Sequence, residues 1–132
     1  MEYFGSETLE DFIRRHKKVS IKDTQDIIFQ VLEAIEYCHA NMISHRDLKP
    51  ANILIDKNRK IKLIDFAFSI RQFNEDQRHV SNCGTPTYMA PEVVKKVKCS
   101  PKPTDIWAIG IMIVKMLTGY IPFNGKHFFD DF

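Results

Sequence analysis

The sequence predicts an α+β chain that is mainly α, and three observations carry that reading. Ile27, Ile28, Val31, Leu32 and Ile35 recur with helical period inside the stretch Val19 to Asn41. A second stretch, Thr104 to Thr118, is apolar on nearly every side and stops at Gly119. Between them only two short runs, Ile53-Leu54-Ile55 and Ile61-Lys62-Leu63-Ile64, carry β character.

Taken in order, the first element is a short helix from Thr8 to Arg15. Leu9, Phe12 and Ile13 share one face, and Thr8 is placed to cap it. The Val19–Asn41 helix follows, with Ser20 and Asp23 spaced as a capping box and Asn41 as its stop. The two β runs are joined by the polar turn Asp56-Lys57-Asn58-Arg59-Lys60 and read as a hairpin. Ala67 to Ser81 loses periodicity and reads as a long surface loop, a length usually kept for function. Pro101 and Pro103 bracket a turn before the last helix, whose all-round apolarity predicts burial on every side. Met112 and Met116 read as core filler there.

Composition narrows the function classes. The chain has 132 residues, 44% apolar and 27% charged, which suits one domain at most and excludes global disorder. A net charge of +2 gives no argument for nucleic acid or an acidic membrane surface. The longest apolar stretch, Ile106 to Leu117, is too short to span a bilayer and contains Lys115. The first residues lack the basic-then-apolar pattern of a secretory signal. Cys38, Cys83 and Cys99 are odd in number and widely spaced, as reduced thiols are. These features point to an intracellular, cytoplasmic protein with neither nucleic-acid nor membrane partners.

The chemistry gathers where the regular elements break. Asp47 and Asn52 flank a turn, and Asp65 ends the second strand of the hairpin. A carboxylate and a carboxamide converging there offer the hard oxygen ligands that Mg²⁺ takes alongside phosphate. Asp47 is left to hold an acceptor hydroxyl, and Lys49 to neutralise charge on a transferring phosphoryl group.

The order HRDLKPAN (45–52), DF (65–66), CGTPTYMAPE (83–92) and DIWAIG (105–110) resembles the protein-kinase superfamily. Lys49 two residues after Asp47, and Gly84-Thr85-Pro86 before the APE box, resemble its Ser/Thr members. The runs MEY, DFAFS and CGTPTYMAPE are most similar to the calcium/calmodulin-dependent and AMP-activated branches. The fold this implies is the C-terminal lobe: helical, with a short hairpin carrying the catalytic loop and activation segment.

The resemblance implies a role for each matching residue. Asp47 orients the substrate hydroxyl, Lys49 touches the γ-phosphate of ATP, and Thr85 bridges the two. Asn52 and Asp65 hold Mg²⁺. The backbone of Glu2 and Phe4 bonds the adenine edge, and Leu54 packs beneath the ring. His45 and Phe66 belong to a hydrophobic spine, Asp105 pins the backbone at His45-Arg46, and Glu92 pairs with an Arg in a later helix. Arg46 is the implied partner of a phosphate on the activation loop, with Ser81 and Thr87 as phosphorylation candidates and an upstream kinase as the activator. The substrate is a protein with a Ser or Thr acceptor.

Departures from the pattern matter too. No G-x-G-x-x-G run and no strand lysine occur in these residues, so the expectation is a partial domain over 1–132 with the N-terminal lobe and the last helices absent. Exposed aromatics are then expected at Phe123, Phe128, Phe129 and Phe132. Ala67 replaces the Gly that usually follows Asp-Phe. Lys115 and Thr8 stand where basophilic kinases often carry Glu. Three readings follow: a kinase catalytic fragment, a non-catalytic docking or scaffold fragment, or a truncated gene product.

Overall fold

A computed structural model describes residues 7–123. It is mixed α+β, with helices over about half of those residues and two small sheets. The elements are β1 (Glu7–Thr8), α1 (Leu9–His16), α2 (Ile21–Ala40), β2 (Ile43–Ser44), β3 (Ile53–Ile55), β4 (Ile61–Leu63), β5 (Ile70–Arg71), α3 (Pro91–Val94) and α4 (Pro101–Thr118). Single 3₁₀ turns cover Pro50–Asn52 and Pro86–Tyr88.

Both predicted N-caps form. The Asp11 N–H donates to Thr8 Oγ1 at 3.1 Å and the Asp11 carboxylate returns to the Thr8 backbone, a complete capping box. Ser20 makes only half of one: its hydroxyl accepts from the Asp23 N–H at 3.1 Å, while the Asp23 carboxylate pairs with Arg59 of the hairpin turn. Asp23 thus ties α2 to the β3–β4 turn, which Gln30 also holds by donating to the Arg59 carbonyl at 2.8 Å.

The hairpin has the expected strands, with Ile53 opposite Leu63 and Ile55 opposite Ile61. Ile53 and Ile55 point into the core, so alternation turns Leu54 to the other face. β1 adds a third strand antiparallel to β3. A separate pair joins β2 to β5, Ile43 opposite Arg71 and Ser44 opposite Ile70.

Four expectations need correction. The segment Ala67–Ser81 is not wholly a surface loop: it contains β5, and Gln72 and Ser81 are buried. Pro101 and Pro103 do not precede α4 but form its first turn, where the missing N–H groups have no intrahelical partner to lose. Nor is α4 buried all round. Asp105, Ala108, Ile109, Ile111, Met112 and Met116 face the core, whereas Ile106, Val114 and Leu117 are exposed. Phe123 is half-buried and stacks on Trp107 with centroids 5.8 Å apart; Phe128, Phe129 and Phe132 lie outside the described residues.

The core is built from the inward stripes of α1, α2 and α4 with β3. Leu9, Ile27, Val31, Ile53, Met112 and Met116 are all fully buried in it. α4 ends on Gly119 at φ 82°, and a Cβ there would stand 2.6 Å from the Lys17 carbonyl. The ends of α1 and α4 therefore touch backbone to backbone, and Val19 N–H donates to the Met116 carbonyl beside them at 2.7 Å. Among the described residues no helix is long and apolar enough to cross a membrane.

Candidate active site

The site is a loop between β2 and β3 held from behind by α4. Asp105, 1% exposed, accepts from three donors: its Oδ1 from the Arg46 N–H at 2.9 Å, its Oδ2 from the His45 N–H at 3.0 Å and from His39 Nε2 at 2.8 Å. A buried carboxylate needs such compensation, and here two of its donors are the backbone of the loop itself. Arg46 sits at φ 66° and Asp65 at φ 60°, left-handed positions that ordinary side chains resist. Strain of roughly 1–3 kcal/mol at each is the kind that surrounding structure holds in place at functional sites.

His45 is fully buried, and its two ring nitrogens have separate duties. Nδ1 accepts from the Asp47 N–H at 3.3 Å, and Nε2 lies 3.0 Å from the Ile64 carbonyl. The network therefore assigns the proton to Nε2. This bridge spans from the loop to the end of β4, one residue before Asp65. The Phe66 ring lies tilted against His45 at 4.7 Å, although its other side is exposed.

Asp47, Lys49, Asn52 and Thr85 close into one network. Asp47 Oδ1 accepts from the Thr85 hydroxyl at 2.8 Å, and Asp47 Oδ2 pairs with Lys49 Nζ at 3.1 Å. Lys49 Nζ also donates to Thr85 Oγ1 at 2.7 Å. Asn52 Nδ2 donates to the Asp47 carbonyl at 2.8 Å and to Oδ2 at 3.1 Å. Its amide thus has both hydrogens engaged, so its carbonyl oxygen is the end left for a ligand.

Asp65 is exposed and accepts at Oδ1 from the Ala67 N–H at 3.3 Å. The substituted Ala67 therefore still supplies the donor. Ile64 N–H bonds the Asn52 carbonyl at 3.0 Å, which sets the backbones of the two proposed metal ligands side by side. Two hard oxygens fit magnesium shared with phosphate and water rather than an all-protein cage. No group of three or more His, Cys, Asp or Glu able to hold a metal gathers among the described residues. Leu54 is half-buried on the face of β3 away from the core. Glu2 and Phe4 lie outside the described residues.

The regulatory candidates are less open than the sequence suggests. Ser81 is buried with its hydroxyl 3.5 Å from Cys83 Sγ, because the chain there folds inward beside the loop between β2 and β3. Ser81 and Arg46 do line the same cavity. The Arg46 Nε donates to the Phe68 carbonyl at 2.7 Å, and Thr87 is half-buried in its 3₁₀ turn. Gly84, at φ 115°, brings the segment so close that a Cβ would stand 3.0 Å from the Arg46 carbonyl. Glu92 has no ion-pair partner among the described residues, its expected Arg being absent from them.

Two contributors escaped the sequence reading. His39 was legible only as part of a helical face, yet it is the third donor to Asp105. Lys115 was noted for the charge it lacks, but its Nζ lies 2.7 Å from both Glu10 oxygens and 3.4 Å from the Tyr88 hydroxyl. That triad ties α1 and α4 to the turn that follows Thr85. Burial first, and then the Glu10 charge, push the Tyr88 hydroxyl well above its ordinary value.

The family profile described as "Protein kinase domain" matches residues 1–131. The chain is 36% identical over its whole length to "Probable serine/threonine-protein kinase MARK-A" of Dictyostelium discoideum, covering 12% of that protein. It is 37% identical over 96% of its length to "SNF1-related protein kinase catalytic subunit alpha KIN12" of Arabidopsis thaliana, covering 25% of it. It is 36% identical over 96% of its length to "CBL-interacting protein kinase 15" of Oryza sativa subsp. japonica, covering 30% of it. The chain thus spans well under half the length of these curated relatives.

Proposed function

The chain belongs to the protein kinase domain family, with relatives in the MARK, SNF1-related and CBL-interacting Ser/Thr branch, and from that premise we propose that it forms the catalytic C-terminal lobe of a Ser/Thr kinase. In its complete form such a protein transfers the γ-phosphate of ATP to a Ser or Thr hydroxyl of a protein. The observation that carries this reading is the closed Asp47–Lys49–Asn52–Thr85 network, anchored through Asp105.

The geometry supports a division of labour. Asp47 presents a carboxylate that accepts the hydrogen bond of the incoming hydroxyl and aims its oxygen in line with the phosphate. Thr85 holds that carboxylate on one side and Lys49 on the other, so the ammonium sits where charge develops on the transferred group. Asn52 and Asp65 are the residues that would hold Mg²⁺, which when bound neutralises the phosphate tail. Leu54 supplies an apolar floor for the adenine. Arg46 and Ser81, which line one cavity, are the regulatory candidates, the guanidinium being the partner for a phosphate on this segment.

The test is direct. The chain is melted with and without Mg²⁺-ATP, and a chain extended by a glycine-rich loop and strand lysine is assayed for phosphate transfer to a Ser/Thr peptide. We expect a melting point raised by Mg²⁺-ATP and transfer that Asp47→Asn abolishes. Transfer undiminished in Asp47→Asn overturns the assignment.

A further inference from the structure

Where the ends of α1 and α4 meet, a concavity of about 460 Å³ is lined by Arg14, Lys17, Lys18 and Lys115, with Glu10 as its one carboxylate. Two of these cations are already neutralised. Lys115 Nζ lies 2.7 Å from both Glu10 oxygens, and Arg14 holds Asp11 at 3.0 Å. Lys17 and Lys18 are exposed and carry no ion pair among the described residues.

The backbone beneath the two free lysines is fixed. Gly119 stands so close to the Lys17 carbonyl that a Cβ would come within 2.6 Å, and the Lys18 N–H donates to the His16 carbonyl at 2.7 Å. The concavity also joins the candidate active site. Lys115 Nζ lies 3.4 Å from the Tyr88 hydroxyl, the Tyr88 N–H donates to the Thr85 carbonyl at 2.9 Å, and the Thr85 hydroxyl donates to Asp47 at 2.8 Å. It thus borders the ground on which an acceptor segment would lie. An unpaired ammonium is costly to withdraw from water, so an apolar neighbour does not suit this surface. A solvated segment bearing carboxylates does.

We propose that this concavity is a specificity subsite for acidic residues of the substrate polypeptide, its Asp or Glu carboxylates paired with Lys17 and Lys18. The proposal rests on the reading of the chain as a catalytic lobe and adds the class of sequence on which it acts.

The probes are labelled serine peptides with a run of glutamates before or after the acceptor, and counterparts with lysine in place of glutamate. Anisotropy titration of the full chain at low salt is expected to show saturable binding of one glutamate peptide, at least about tenfold tighter than its lysine counterpart. Lys17→Glu/Lys18→Glu is expected to weaken that binding about tenfold or more at an unchanged melting point. The same charge change on the β3–β4 turn, Lys57→Glu/Lys60→Glu, should alter it less than about twofold. In the chain extended by a glycine-rich loop and strand lysine, Lys17→Glu/Lys18→Glu should raise KM for the glutamate peptide about tenfold and leave kcat unchanged.

Equal affinity for glutamate and lysine peptides, unchanged affinity in Lys17→Glu/Lys18→Glu, or equal weakening by the turn variant overturns the proposal. So does a glutamate peptide that binds only after Asp130→Asn/Asp131→Asn, which would make the chain's own acidic residues the occupant. Transfer without glutamate preference that Asp47→Asn abolishes overturns this proposal alone. Glutamate-peptide binding with no transfer to any peptide overturns the catalytic reading, and with it the role of the concavity toward a substrate.

Discussion

The two sides of α4 make opposite use of one helix. On the side facing the loop between β2 and β3, Asp105 is sealed from water and each oxygen meets a donor. One residue along, Ile106 is half exposed beside an empty Cβ position at Gly110. The inner face is finished by polar bonds that specify a geometry, while on the outer face Ile106, Val114 and Leu117 stay exposed among the described residues. Apolar composition therefore did not tell which side of α4 mattered; one aspartate did.

The largest effect should come from breaking the inner side. Asp105→Ala strands two backbone N–H groups and His39, and is expected to cost about 3–5 kcal/mol in urea unfolding. Ile106→Ala next to it should stay within about 0.5 kcal/mol. Similar losses from both would erase the contrast. Gly84→Ala comes second: a Cβ at φ 115° against the Arg46 carbonyl should cost about 1–3 kcal/mol, read from the same titration.

Smaller effects sharpen the picture where α4 meets the turn after Thr85. The raised Tyr88 value favours folding fully below its ordinary value of 10.0, and that contribution is lost as pH climbs toward the higher folded value. Stability should thus fall above pH 10, and Tyr88→Phe should flatten that part of a pH series of denaturation midpoints. The smallest effect concerns exposed Asp11, held below its ordinary 3.8 first by the Thr8 hydroxyl. Its help to α1 is present above that value and fades as pH falls through the lower folded one. Amide protection factors in α1 should fall in acid, and less so in Asp11→Asn.

Local chemistry was legible in the sequence and distant chemistry was not. Thr8, Ser20 and Gly119 act on their own neighbours, so the helix ends could be read directly. The hairpin was equally local. By contrast β1, β2 and β5 have two residues each, too few for an alternation to register. His39 and Asp105 stand 66 positions apart, and Glu10 and Lys115 105 apart; only folding brings those pairs together. The burial of Ser81 is of the same kind, imposed by where the segment lies rather than by its composition. The motif spacing disclosed which residues to watch, and the network disclosed how they are joined.

The engagement of both Asn52 amide hydrogens has a further consequence. Because Asp47 takes both of them, the amide has a single orientation before any ligand arrives. The entropy of arranging these groups is spent when the chain folds, leaving little to reorganise on encounter. An aspartate at position 52 would replace that donor with a second negative charge, and the loop would then wait on a cation to assemble.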